Sequence, residues 1–93
     1  VKVFVVHVYD AAAHLHDYYV HAAISSAKRQ AAIDVVTGHF EDLGAGDFEV
    51  EVQRVIDAIY EEPAVDRWHV RCDAVRLGAP GWCAHIDEMQ VLS

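Results

Sequence analysis

The stretch LHDYYVHAAISS, residues 15–26, does most to limit what this chain can fold into. A helix opening at Asp10 would have to continue through Ser25 and Ser26 to Leu43, more than thirty residues in a chain of 93. That is far longer than a helix of a small domain. Tyr18, Tyr19 and Val20 lose side-chain freedom in a helix but suit a pleated surface. Leu15 to Ala23 is therefore expected to be extended, with the serine at 26 capping a helix that follows.

That one assignment organises the rest. Val1 to Tyr9 is dense in valine with Phe4 and Tyr9, which predicts a first strand, paired to the second across the DAAAH turn. From Ser26, the spacing of Ile33, Val36, Phe40 and Leu43 predicts a first helix, ended by the GAG at 44–46. Asp47 is a second candidate cap. Phe48, Val52, Val55, Ile56, Ile59 and Tyr60 share one helical face, which predicts a second helix closed by Pro63. RWHVRCDAVRL then reads as a third strand, GAPG as a turn and WCAHIDEMQVL as a fourth strand. The expectation is an α+β fold of order β-β-α-α-β-β. It has an antiparallel sheet of about four strands, two helices packed on one face and the other face open to water or to a second subunit. Length alone predicts a single domain spanning residues 1–93.

Charge narrows the partners. Seven basic residues against fifteen acidic ones give a net charge of -8, which repels phosphate backbones and argues against direct nucleic-acid binding. The longest apolar runs fall well short of a membrane span. The opening VKVFVVHVYD has neither a long apolar core nor a small-residue cleavage site, so a cytoplasmic location is expected. Cys72 and Cys83, eleven residues apart, match no metal or redox spacing and read as reduced thiols.

Three groups of residues carry the candidate chemistry. The first is a set of histidines: His14 and His16 project to one side of a strand, and His7 lies near the same end of its neighbour. With Asp17 as an oxygen ligand or orienting group, His7, His14 and His16 could hold a transition metal, the one cofactor the sequence suggests. Several imidazoles on one surface would also gain charge between pH 8 and pH 5. The second group consists of partner-binding candidates. Lys28 and Arg29 stand at the N-terminal end of the first helix, where the macrodipole disfavours them, and Trp68 and Trp82 flank the final hairpin as aromatic anchors. The third is Cys83 with His85, two positions apart on a strand, a thiolate–imidazolium arrangement with no identifiable orienting residue.

The leading functional expectation is a small acidic, non-catalytic module that binds or regulates another protein, rather than an enzyme. One specific form is an inhibitor whose carboxylates stand in for phosphates in the groove of a basic, nucleic-acid-binding partner, and self-pairing through the open sheet face is another. The competing readings are a histidine-rich metal- or small-ligand-binding domain and a small enzyme using Cys83 and His85.

Overall fold

The computed structural model describes residues 1–10, 15–39, 45–62, 67–69 and 82–92, with the side chains at 10, 15, 38, 39, 45, 82 and 83 outside that description. Strands β1 (Lys2–Asp10) and β2 (Leu15–His21) lead into helices α1 (Ile24–His39) and α2 (Ala45–Ala58). Strands β3 (Tyr60–Glu62), β4 (Arg67–His69) and β5 (Trp82–Gln90) follow. The five strands form one antiparallel sheet in the order β2-β1-β5-β4-β3. The α+β class and the antiparallel sheet are as expected, while the strand count is five instead of four.

β1 is hydrogen-bonded on both sides, to β2 and to β5, which explains its near-continuous valines. Phe4, Val6 and Val8 point to one face and are buried, whereas Val3, Val5, His7 and Tyr9 point to the other and stay half-exposed. α1 lies against β1, β2 and β5, and α2 packs against α1. The core is the layer between them: Val6, Val8, Ala84 and Ile86 from the sheet meet Ala27, Ala31, Ala32, Val35 and Val36 of α1 and Val52 and Val55 of α2. The buried side of α1 is therefore largely alanine. Small side chains let the helix axis approach the sheet closely, and valines fill the remaining volume.

Three boundaries differ from expectation for physical reasons. α1 begins at Ile24, two residues early, and Ser26 is not its cap. The Ala27 amide donates to the Ala23 carbonyl at 3.1 Å, so Ala23 holds the capping position. The Ser26 hydroxyl sits inside the first turn and donates to the same carbonyl at 3.0 Å. α2 likewise starts at Ala45, which puts Asp47 in its first turn, where a carboxylate favours the helix dipole. The third change is β3. Tyr60 was expected on a helical face, but α2 stops at Ala58 with the Ile59 amide on the Ile56 carbonyl. A residue before proline is pushed out of the helical region, so Pro63 favours an extended Glu62, and Tyr60–Glu62 pairs with β4 instead. Of the predicted first-helix stripe, Val36 is buried and Ile33 partly so; Phe40, Leu43 and the GAG stop lie outside the described residues. The expected third strand is described only at Arg67–His69, and the GAPG turn lies outside.

One polar link ties the sheet to α1. Tyr19, on β2, donates its hydroxyl to the Asp34 carboxylate, and this bond, with partial desolvation and nearby negative charge, pushes the phenol up to about 12. A raised phenol favours the folded state fully below about pH 10, and that contribution fades as the pH climbs through the folded value. Tyr19→Phe is expected to lower stability by about 1 kcal/mol in neutral solution, read from denaturant midpoints. It should also remove a step near pH 12 from the ultraviolet phenolate titration.

Candidate functional site

No helix packs on the second face of the sheet among the described residues, and four of the chain's seven histidines, His7, His16, His69 and His85, gather there with the exposed phenols of Tyr18 and Tyr60. Paired residues of an antiparallel ladder share a face. His7 is paired with Tyr18 on one side and His85 on the other, and His85 continues to His69 and His69 to Tyr60. The result is a row of five rings, Tyr18–His7–His85–His69–Tyr60, crossing all five strands. Successive centroids lie 4.4, 5.9, 5.1 and 5.6 Å apart, and His7 and Tyr18 are stacked within 5° of parallel. Tyr9 and His16, paired one step along, extend the surface: Tyr9 lies 5.0 Å from His7, 5.3 Å from His85 and 6.0 Å from His16.

A second row, one pleat away, runs Val20–Val5–Asp87–Arg67–Glu62 across the same strands. Its β2 and β1 end is apolar and continues into Val3 and Met89, which are paired. Its other end is ionic, with the Arg67 guanidinium hydrogen-bonded to the Asp87 carboxylate. Asp87, Arg67 and Glu62 are the only permanently charged groups on this face among the described residues. The face is thus close to neutral on a chain of net charge -8. Asp34, Asp47, Glu49, Glu51 and Asp57 sit on the helices, on the far side of the sheet.

Two imidazole contacts give the row its internal chemistry. His7 Nε2 lies 2.8 Å from His16 Nδ1, and His85 Nδ1 lies 3.1 Å from His69 Nδ1. His69 Nε2 is 3.1 Å from the Glu62 carboxylate. Burial, then the His16 charge, holds the His7 imidazole below its usual range; burial, then Arg67, does the same for His85, and Asp87 opposes both shifts. The sign of the linkage follows. An unfolded chain takes up these protons near pH 6.5, before the folded one does, so the folded state is favoured above that pH and loses stability as the pH falls below it. Denaturant midpoints of chelator-treated protein are expected to be lower at about pH 5.5 than at about pH 7.5, with a flatter dependence in His7→Gln.

The expected metal set is separated by this geometry. His7 and His16 meet on the open face, but Asp17 is paired with buried Val8 and so belongs to the helix side, and His14 lies outside the described residues. Among the described residues, no group of three or more His, Cys, Asp or Glu side chains is arranged to hold a metal ion. The partner-binding candidates are also dispersed. Arg29 is paired with Glu49 of α2 at 3.0 Å, and Lys28 is half-buried on α1. Trp68 faces the helices, edge-on to Phe4 with centroids 5.8 Å apart. Trp82 and Cys83 contribute backbone to β5, paired with Asp10 and Tyr9, and their side chains fall outside the description. Sequence reasoning missed His69, Tyr60 and the row itself. The only signal for them was the two-residue alternation of the last strand, which sets His85 apart from its neighbours without naming what lies opposite.

No family model matches this chain, and no curated protein and no solved structure is detectably similar to it. No helix among the described residues is long and apolar enough to cross a membrane.

Proposed function

We propose that this protein is a small acidic, non-catalytic protein-binding module that docks through the open face of its sheet, with a second copy of the chain as the occupant. The observation that carries the proposal is the five-ring row on a face that is nearly neutral and uncovered by the helices. Of the large apolar side chains exposed among the described residues, Tyr18 and Tyr60 end that row, and Val20 and Met89 lie in the next two rows of the same face. Exposed apolar side chains grouped beside polar ones on an uncovered face are a feature of interaction sites.

Size and charge both favour a like partner. The 31 residues of the five strands, each taking about 3.4 Å along its strand and about 4.8 Å across, give a footprint on the order of 500 Å² before side-chain relief. A standard interface takes about 800 Å² from each partner. Stacking two such sheets face to face leaves their helix layers about 30 Å apart, several Debye lengths at physiological salt. The acidic helices therefore oppose pairing only weakly.

Sedimentation equilibrium tests the proposal. The expected result is a reversible monomer–dimer equilibrium that shifts little with added salt. A monomer at about 0.1 mM chain, or a mass set mainly by salt, would favour the basic-partner reading on the acidic helices instead.

A further inference from the structure

The geometry points to a divalent transition-metal site between β4 and β5, held by His69 Nδ1 and His85 Nδ1 and completed by water, with Glu62 orienting His69 from behind. This goes beyond the docking proposal and stands on a single chain.

Glu62 fixes where the His69 proton sits. An ionised carboxylate only accepts, so His69 donates from Nε2 to Glu62 and keeps a lone pair on Nδ1. That lone pair faces His85 Nδ1 across 3.1 Å. A carboxylate bound to the far nitrogen of an imidazole is the usual support of a histidine that ligates a metal: it fixes the tautomer and raises the ring's basicity. The spacing also fits. With metal–nitrogen bonds of about 2.05 Å, two ligand nitrogens on one ion stand about 2.9 Å apart at a right angle and about 3.4 Å apart at the tetrahedral angle. Both the His69–His85 and His7–His16 contacts are hydrogen-bonded in length; the 3.1 Å His69–His85 separation also falls inside that window and has the carboxylate behind it, whereas the 2.8 Å His7–His16 contact falls just below it. Binding requires the Nδ1 proton of His85 to move to its Nε2 and both rings to turn so that their Nδ1 lone pairs converge on an ion lying off the line between them.

The surroundings are compatible with a cation. Among the described residues Arg67 is the one permanent positive charge nearby; its field disfavours charge at His85, and Asp87, hydrogen-bonded to it, opposes that effect. Glu62, 3.1 Å from His69 Nε2, supplies a favourable field. Imidazole pairs suit copper, nickel and zinc, with Cu(II) bound most tightly. Two protein ligands leave the remaining positions to water, which makes this a binding site of modest affinity, open on the solvent side.

Calorimetric titration of tag-free, chelator-treated protein with Zn(II), and electron paramagnetic resonance with Cu(II), test the assignment. One equivalent of ion and nitrogen couplings from two imidazoles are expected. His69→Gln and His85→Gln should each weaken Zn(II) binding at least tenfold, and Glu62→Gln, at an exposed position, by about 10-fold. His16→Gln should change it less than twofold. Repeating the titration in Val20→Lys separates this result from the fate of the docking proposal. Binding retained in both His69→Gln and His85→Gln, binding lost in His16→Gln, or no binding at all would overturn the site.

Discussion

Replacing Ile86 with alanine is expected to cost about 3 kcal/mol of folding stability. Ile86 is 1% exposed, the largest of the fully buried side chains among the described residues, and stands at the middle of β5, paired with Val6 on one side and Trp68 on the other. It faces the helix layer, in the core shared with α1 and α2. Truncation removes three methyl or methylene groups' worth of transfer free energy and leaves a cavity that two flanking strands and a helix layer prevent from collapsing. Domains of this size hold roughly 5–15 kcal/mol in all. The variant's melting temperature should accordingly fall by well over 10 °C, on the order of 4–8 °C per kcal/mol. His85, its neighbour, points to the open face, and His85→Gln should cost under about 1 kcal/mol. Comparing the two by urea denaturation reads the alternation of β5 directly: equal losses would mean that the two faces are not distinct.

The second large effect concerns association. Val20 is 68% exposed at the β2 end of the second row, beside Val5 and Tyr18. Lysine at that position should leave the monomer's stability within about 0.5 kcal/mol. In a two-fold pair, however, it places two ammonium groups in the contact, and each must be desolvated without a partner. The dimer dissociation constant is expected to rise at least about 100-fold, equivalent to roughly 3 kcal/mol. Val50, 56% exposed on α2, provides the control. Val50→Lys introduces the same charge on the helix side and should leave the equilibrium unchanged. Sedimentation of both variants beside the wild type checks the pair. Dissociation by Val50→Lys but not by Val20→Lys would move the interface to the helices.

Much of this architecture is legible in the sequence, and the exceptions have identifiable causes. The extended state of Leu15–His21 is readable because helix length and the Tyr18–Tyr19–Val20 run point the same way. The exact start of α1 is not, because a serine in the first turn resembles a serine at the cap, and only the Ala27–Ala23 hydrogen bond separates the two. His7 and His16 follow from period two once β1 and β2 are paired. Asp17 could have been set aside on the same ground, since it is adjacent to His16 and so faces the other way. Glu62 carries the restriction that Pro63 imposes, which is a signal for β3 that the helical face ending at Tyr60 obscured. His69 and His85, sixteen positions apart, come together only through the β4–β5 register, a long-range choice that local patterning does not encode.

The most direct measurement is an isotope-filtered nuclear Overhauser experiment on an equal mixture of labelled and unlabelled protein, which reports only contacts between copies. The predicted result is cross-copy contact among the rings of Tyr18, His7 and Tyr60 and the methyls of Val20 and Met89, with none from α2. Cross-copy contacts confined to Val50 and its helical neighbours, with the ring row silent, would contradict the assignment of the open sheet face as the binding surface.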